Sequence, residues 1–100
     1  MILHRVVFQA QPGKANELVA AIKQGYDILP EEQFAALQPR VLTDISGPFD
    51  TVILESTHES LAAYEILRTA LWAAAEQREE ASHMQSLIVS GRNEYYTIEM

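Results

Sequence analysis

The sequence contains no cysteine among its 100 residues. Disulfides, thiolate metal sites and cysteine nucleophiles are therefore excluded. Basic residues are also scarce, because seven Lys and Arg stand against fourteen Asp and Glu, which gives a formal net charge of −7. Such a chain has few groups that neutralise phosphates, so it predicts no nucleic-acid partner and no attachment to an anionic membrane surface.

Long apolar runs and chemical motifs are missing as well. No apolar run approaches the ~20 residues that span a bilayer, and the opening MILHRVVFQA lacks the charged leader and cleavage pattern of a signal peptide. We therefore expect a cytoplasmic protein with no membrane partner. The sequence has no glycine-rich phosphate loop, no nucleophile elbow and no His/Asp/Glu cluster with metal-ligand spacing. These absences predict neither a metal site nor a cofactor.

The composition is that of an ordinary globular protein, with 48% hydrophobic and 21% charged residues. Its length predicts one domain over residues 1–100. A domain of this size can fold alone, but pairing with a second copy would increase the share of its surface that is buried.

The first third of the chain predicts a strand and a helix. Residues 2–10 form a β-branched-rich run whose two faces are both largely apolar, which indicates a strand covered on both sides. Apolar residues at three- and four-residue steps then predict a helix over 15–29, which Pro30 ends. Residues 31–36 are an acidic connector with room for one further helical turn.

A hairpin follows. Strands over 37–46 and 51–57 flank a tight turn, GPFD, at residues 47–50. Thr57 or Ser60 is placed to cap the next helix.

The last third predicts a second helix and a closing strand. The helix begins near residue 58 and runs to about residue 80. Residues 84–89 fit either a short strand or an irregular last turn, residues 90–92 form a break, and residues 94–99 form the last strand.

The order β-α-β-β-α-β is the ferredoxin-like arrangement. Right-handed crossovers place both helices on one face of a four-stranded antiparallel sheet. Several strands are nevertheless apolar on both faces, so a second layer has to cover the other face. With no chain left over, a second copy is the economical cover, and two such sheets face to face predict a homodimeric α/β barrel.

Two segments carry a family resemblance. Gly47, Asp50, Val52, Ser60 and Leu61 match in register the hairpin-to-helix segment of NIPSNAP-like proteins. The run at residues 12–14, Pro-Gly-Lys, resembles the first strand-to-helix turn of the same proteins. The resemblance implies a fold of the dimeric α/β-barrel superfamily, which also includes antibiotic-biosynthesis-monooxygenase-like proteins. Turn and cap residues specify a fold far more than a chemistry.

The chain departs from the pattern at two places. NIPSNAP domains often alternate Glu, Arg and Tyr along the first strand, where this chain has His4, Val6 and Phe8. Their third strand often carries aromatic residues before the Ser-Leu step, where this chain has Ser56 and His58. The resemblance therefore implies no ligand for these positions.

The histidines are the first candidates for chemistry because their pKa lies near neutral pH. His4 is a candidate pocket base or ligand, against the plainer interpretation of a strand-end residue that reaches solvent or a backbone carbonyl. His58 is a candidate for a pocket mouth, against a capping or surface role. In both cases the plainer interpretation is favoured.

Three other side chains complete the candidate pocket. Glu55 is the one charge in its strand, and two interpretations stay open: an acid or base inside a closed barrel, or an ion pair with Arg40 or Arg5. Trp72 lies on the flank of the second helix, where a core edge or dimer contact is favoured over pocket lining. Phe8 lies on the first strand.

The sequence is rich in signals for a fold and poor in convergent reactive groups. It predicts a NIPSNAP-like homodimeric module that binds a small, mostly apolar molecule between sheet and helices near Phe8, Glu55 and Trp72, with no assigned catalysis. The alternative is a cofactor-independent monooxygenase acting on an aromatic or polyketide-like substrate. A third hypothesis is a purely structural dimer with a filled barrel.

Overall fold

The computed structural model describes residues 1–77 and 80–100, with side chains described outside residues 75–81. Within these residues the elements follow in this order: β1 Ile2–Ala10, α1 Ala15–Tyr26, α2 Glu31–Leu37, β2 Arg40–Thr43, β3 Thr51–His58, α3 Leu61–Gln77, α4 Glu80–Ser86 and β4 Ile88–Thr97.

The described strands form one antiparallel sheet in the order β2-β3-β1-β4. The predicted ferredoxin-like α+β fold is therefore confirmed. The central strand β1 pairs with β3 on one side and β4 on the other. His4 stands opposite Ser56 and Tyr95, and Arg5 stands opposite Glu55 and Glu94. Because side chains alternate along a strand, this register assigns each residue to one face of the sheet.

We call the two sides of the sheet the covered face and the open face. On β1 the covered face carries Ile2, His4, Val6, Phe8 and Ala10, and the open face carries Leu3, Arg5, Val7 and Gln9. The helices lie against the covered face.

The core lies between the covered face and α1. Ala10 and Val52 of the sheet pack with Leu18 and Ile22 of α1 and with Leu87, which precedes β4. These residues are buried, and Leu18 and Val52 are fully enclosed. The core therefore occupies the part of the sheet beneath α1, away from the start of β1.

The first helix is shorter than predicted. It ends at Tyr26, and the amides of Asp27 and Leu29 donate to carbonyls only three residues back. Pro30 then precedes α2, a helix of seven residues, in place of the single turn allowed by the sequence. Proline disfavours helical geometry in the residue before it but suits the start of a new helix, which explains both boundaries.

The second strand was predicted too long. Leu37 is the buried end of α2, and Gln38 adopts a left-handed conformation that ends this helix. Pro39 follows and cannot donate to the sheet, so β2 begins only at Arg40. The predicted hairpin between β2 and β3 is present, with a connection over residues 44–50 that Asp44 closes by accepting from the Thr51 amide at 3.0 Å.

The predicted and observed elements differ most in the last third of the chain. The predicted second helix corresponds to α3, and the prediction that it runs to about residue 80 includes residues 78 and 79, which lie outside the described residues. A separate helix, α4, covers Glu80–Ser86. The predicted break at 90–92 was wrong, because these residues belong to β4 and pair with β1. Gly91 stands opposite Phe8, and a Cβ at Gly91 would come within 3.1 Å of the Phe8 ring. The glycine therefore permits a close approach and does not make a turn.

Among the described residues, no helix combines the length and the apolar character needed to cross a membrane.

Candidate functional site

Six polar and aromatic side chains meet on the covered face, at the end of the sheet where β1 begins and β3 finishes. We call this group the histidine cluster: His4, Ser56, His58, Tyr64, Asn93 and Tyr95. They come from β1, β3, α3 and β4, so the cluster exists only in the folded chain.

His4 lies at the centre of the cluster and is only 5% exposed. Its Nε2 is 2.8 Å from Oδ1 of Asn93, and its ring lies 4.3 Å from the ring of Tyr64 and 5.0 Å from that of Tyr95. Burial lowers the pKa of His4, and the hydrogen bond with Asn93 opposes this only in part. The interpretation of His4 as a solvent-reaching strand end was wrong.

His58 is the last residue of β3 and is only 6% exposed. Its Nε2 lies 2.8 Å from the Ser56 hydroxyl, and burial, assisted by nearby His4, lowers its pKa. The cap of α3 is Ser60, whose hydroxyl accepts from the Ala63 amide at 3.1 Å. The interpretation of His58 as a capping or surface residue was therefore wrong.

Tyr64 joins the two histidines. Its ring lies 5.1 Å from that of His58 and 5.7 Å from that of Tyr95. Burial and the neighbouring Tyr95 raise the pKa of Tyr64 to about 12. Near pH 7 the cluster therefore holds two uncharged imidazoles and the protonated phenol of Tyr64. Such a group can exchange hydrogen bonds with a neutral ligand or accept a proton from a weak acid.

The surface that leads away from the cluster is apolar and incompletely covered. Val6 and Phe8 of β1 lie on the covered face, and Leu67 and Leu71 lie three and seven residues after Tyr64 on α3. All four side chains are only partly buried. Leu67 and Leu71 fall on the same side of α3 as Tyr64, which contacts His4. We call the surface to which these four residues contribute the α3 groove, and we place it beside the histidine cluster from this helix periodicity and the alternation along β1.

The predicted site residues separate into two groups. His4 and His58 meet in the cluster, and Phe8 lies farther along the same face. Trp72 is exposed on the flank of α3. Glu55 lies on the open face, opposite Arg5, so it does not belong to a pocket between sheet and helices.

Glu55 is held in an ion-pair network on the open face. Arg40 donates to Oε1 of Glu55, and Nε of Arg5 lies 3.8 Å from Oε2. Arg5 also approaches Glu94 at 3.7 Å, and Arg92 donates to Glu94 at 2.9 Å. The Arg92 hydrogen bond is the main cause that holds the pKa of Glu94 below its usual range. Of the two interpretations left open for Glu55, the structure shows the ion pair.

Sequence reasoning missed four members of the cluster. Ser56 enters the prediction only as a departure from the family pattern, and Asn93 falls between the predicted break at 90–92 and the last strand. Tyr64 and Tyr95 have no predicted functional role. The alternation of Asn93 and Tyr95 would have placed them together if the last strand had been started at residue 88.

Comparison with known proteins adds the fold. No protein-family model matches the chain, and no curated protein matches it. Solved structures do. A NIPSNAP family protein from Agrobacterium tumefaciens str. C58 superposes with a TM-score of 0.78 at 18% identity, covering 96% of this chain and 90% of that one. The fold resembles that of NIPSNAP family proteins.

Two further structures point the same way. An uncharacterized NIPSNAP domain protein from Burkholderia xenovorans gives a TM-score of 0.73 at 13% identity, covering 98% of this chain and 94% of that one. A putative antibiotic biosynthesis monooxygenase from Chloroflexus aurantiacus gives 0.70 at 14% identity, covering 100% and 96%. At these identities the likeness establishes the fold, and the resemblance found in the sequence is confirmed at that level.

Proposed function

We propose that this chain is a homodimeric module that binds a small, mostly apolar and uncharged molecule in the α3 groove. One observation carries the proposal: two buried, uncharged histidines of the cluster lie beside apolar side chains that are only partly buried. Ligand sites are typically apolar surfaces with a few well-placed polar groups. Val6 and Phe8 are less buried than Val52, although all three lie on the covered face.

The cluster defines the polarity of the ligand. The apolar body would lie along Phe8 and Leu71, and a hydroxyl or carbonyl group would reach His4 or His58. A charged ligand is disfavoured here, because burying an unpaired charge is far more costly than burying a hydrogen-bonded neutral group.

The probe that tests this proposal is 1-naphthol, an apolar ring system with one hydroxyl, followed by its fluorescence. We expect saturable binding by the wild-type protein and about fivefold weaker binding by His58→Leu, since a buried hydrogen bond contributes ~1 kcal/mol and a tenfold change is ~1.4 kcal/mol.

The matched control is Tyr96→Phe. Like His58→Leu it removes a hydrogen-bonding group, but this group lies on the open face. The Tyr96 hydroxyl donates to Glu94 at 3.1 Å. We expect this variant to bind 1-naphthol like the wild type. Equal binding by all three proteins, or no binding by the wild type, would contradict the proposed binding of a ligand in the α3 groove.

The homodimer is the second part of the proposal. The described helices lie against the covered face, while the open face carries Leu3, Val7 and Ile53 with an ion-pair network. The charges of this network are already paired within one chain, which reduces the cost of burying them. A second copy placed on this face completes the α/β barrel expected from the sequence. A cytoplasmic location and a single domain without a cofactor belong to the same proposal.

A second candidate function is a cofactor-independent monooxygenase. It is favoured by the two buried imidazoles, whose lowered pKa keeps them available as bases near neutral pH. A histidine would remove a proton from an electron-rich phenol bound in the groove. The activated substrate would react with dioxygen, take one oxygen atom as a carbonyl, and release its two hydrogens with the other atom as water.

Oxygen uptake tests the second candidate. A panel of electron-rich phenols is incubated with the wild-type protein in an oxygen electrode. We expect uptake that falls at least tenfold in His58→Leu and stays unchanged in Tyr96→Phe. No uptake across the panel leaves the binding module as the function.

A further inference from the structure

A concavity lies on the open face, and its lining shares only Phe8 with the α3 groove. It has a volume of about 500 Å³, within the ~300–1,000 Å³ of small-molecule sites. Its polar lining consists of Arg5, Gln9, Thr51, Ser90 and Arg92. It lies at the end of the open face next to the hairpin connection.

The charge of this concavity is opposite to that of the chain. The protein carries −7 overall, with only seven Lys and Arg. Two arginines line the concavity, and among the described residues no Asp or Glu does. Glu55 and Glu94 contact these arginines from outside the lining. The concavity therefore offers positive charge in an acidic protein.

Arg5 is ion-paired with Glu55 and Glu94. Its Nε is buried, and within the described part of the chain it has no hydrogen-bond partner. The nearest carboxylate oxygens stand at 3.7 and 3.8 Å, beyond hydrogen-bond distance. Arg92 bonds Glu94 through Nε and is largely exposed. Two guanidinium groups thus line the concavity, and each is paired with a carboxylate but has further N–H donors.

The wall beside the hairpin is fixed before any ligand arrives. Gln9 donates to the Phe49 carbonyl, and the Thr51 hydroxyl donates to the Pro48 carbonyl at 2.9 Å. Val7 and Ile53 stand opposite each other on β1 and β3 and supply an apolar floor. The concavity therefore combines two cationic groups with a small apolar surface.

We propose that this concavity binds a small organic carboxylate with a short apolar body. Guanidinium groups match the planar carboxylate in geometry and charge, and Val7 and Ile53 would contact the body. This site goes beyond the proposed function, since it lies on the opposite face from the α3 groove and takes an anion where the groove takes a neutral molecule. When two copies pair through their open faces, the site lies inside the barrel.

Isothermal titration calorimetry with benzoate tests the site. Wild-type protein binds benzoate, and Arg92→Gln binds it about tenfold or more weakly, because a hydrogen bond to a charged group is lost. The matched control is Arg68→Gln, which removes an exposed arginine on α3 that pairs with Glu65. This variant keeps the wild-type affinity. Benzamide, the neutral analogue, does not bind, and inorganic phosphate binds more weakly than benzoate because it lacks an apolar body.

Three results would overturn the proposal: no heat with benzoate, equal affinity for benzamide, or equal losses in Arg92→Gln and Arg68→Gln. Phosphate binding as tight as benzoate would also refute it, since the apolar floor would then contribute nothing. The 1-naphthol titration is run on the same variants. Lost benzoate binding with unchanged 1-naphthol binding in Arg92→Gln confirms a separate site, whereas a failure of 1-naphthol alone would count only against the groove.

Discussion

The two faces of one sheet handle buried polar groups in opposite ways. On the covered face, His4 and His58 are buried, and each is hydrogen-bonded to a neutral side chain. On the open face, Glu55 is as buried as the histidines but keeps two arginines beside it. Residues that alternate along the same strands thus face different environments.

The difference follows from what each face can supply. Burial lowers the pKa of a histidine and leaves a neutral ring, so no counter-ion is required. A carboxylate that stays charged needs cations, and Arg5 and Arg40 stand opposite Glu55 on the neighbouring strands. The covered face therefore suits a neutral ligand, and the open face suits a second copy or an anion.

The largest expected effect is the loss of dimerisation through the open face. Leu42 is exposed on this face, opposite Ile53. Leu42→Glu places an unpaired charge in the proposed interface, so we expect the dimer dissociation constant to rise about 100-fold or more. Sedimentation velocity at several concentrations measures it.

The matched control for Leu42→Glu is Ile66→Glu, at an exposed apolar residue of α3. We expect this variant to remain dimeric. A wild-type protein that is monomeric at all micromolar concentrations would refute the pairing, and so would equal dissociation of both variants.

The second largest expected effect is the loss of stability when the carboxylate on the open face is removed. The substitution Glu55→Gln is made in the Leu42→Glu variant, which we expect to be monomeric, so that dimerisation does not contribute to the measured stability. It leaves Arg5 and Arg40 without their shared carboxylate. We expect the free energy of unfolding in urea to fall by about 2–3 kcal/mol. This is less than the ~3–5 kcal/mol of a fully buried pair, because the side chains of Arg5 and Arg40 are 36% and 68% exposed.

Glu65→Gln serves as the control for this experiment. It breaks an ion pair with Arg68 in which both side chains are mostly exposed, and we expect a change within about 0.5 kcal/mol. If Glu55→Gln and Glu65→Gln lowered the free energy of unfolding equally, the open-face network would contribute no more to stability than an exposed ion pair.

The smallest expected effect concerns the pH dependence of the covered face. Folding lowers the pKa of His4 and His58, whereas in the unfolded chain both titrate near 6.5. As the pH falls through 6.5, the unfolded chain takes up protons that the folded chain does not, so stability decreases.

Urea unfolding at pH 7.5 and 5.5 checks this sign. The wild-type protein should be less stable at pH 5.5, and His58→Leu should show a smaller decrease. A wild-type protein that gains stability at pH 5.5 would contradict the neutral cluster.

The element order was predictable because it depends on local signals. Periodicity placed β1, α1, β3 and α3, and the turn residues at 47–50 placed the hairpin. The boundaries that failed depend on special backbone positions. Gln38 adopts a left-handed conformation without being glycine, and Gly91 serves a close approach within a strand.

The candidate site was only partly predictable. His4 and His58 could be named from their chemistry, but His4 is enclosed by contacts with Asn93 and Tyr95, about 90 residues later in the chain. The face of Glu55 was undecidable until the register of β1 against β3 was known. Contacts between distant strands leave no local pattern, so a cluster built from four elements cannot be read from periodicity.

The central claim is that the two faces bind different partners, and methyl NMR tests it most directly. Val6, Leu54, Leu67 and Leu71 report on the α3 groove, and Leu3, Val7, Leu42 and Ile53 report on the open face. Addition of 1-naphthol should shift the methyl resonances of the first set and leave those of the second unchanged. Shifts confined to the open face, or shifts in neither set, would contradict the account.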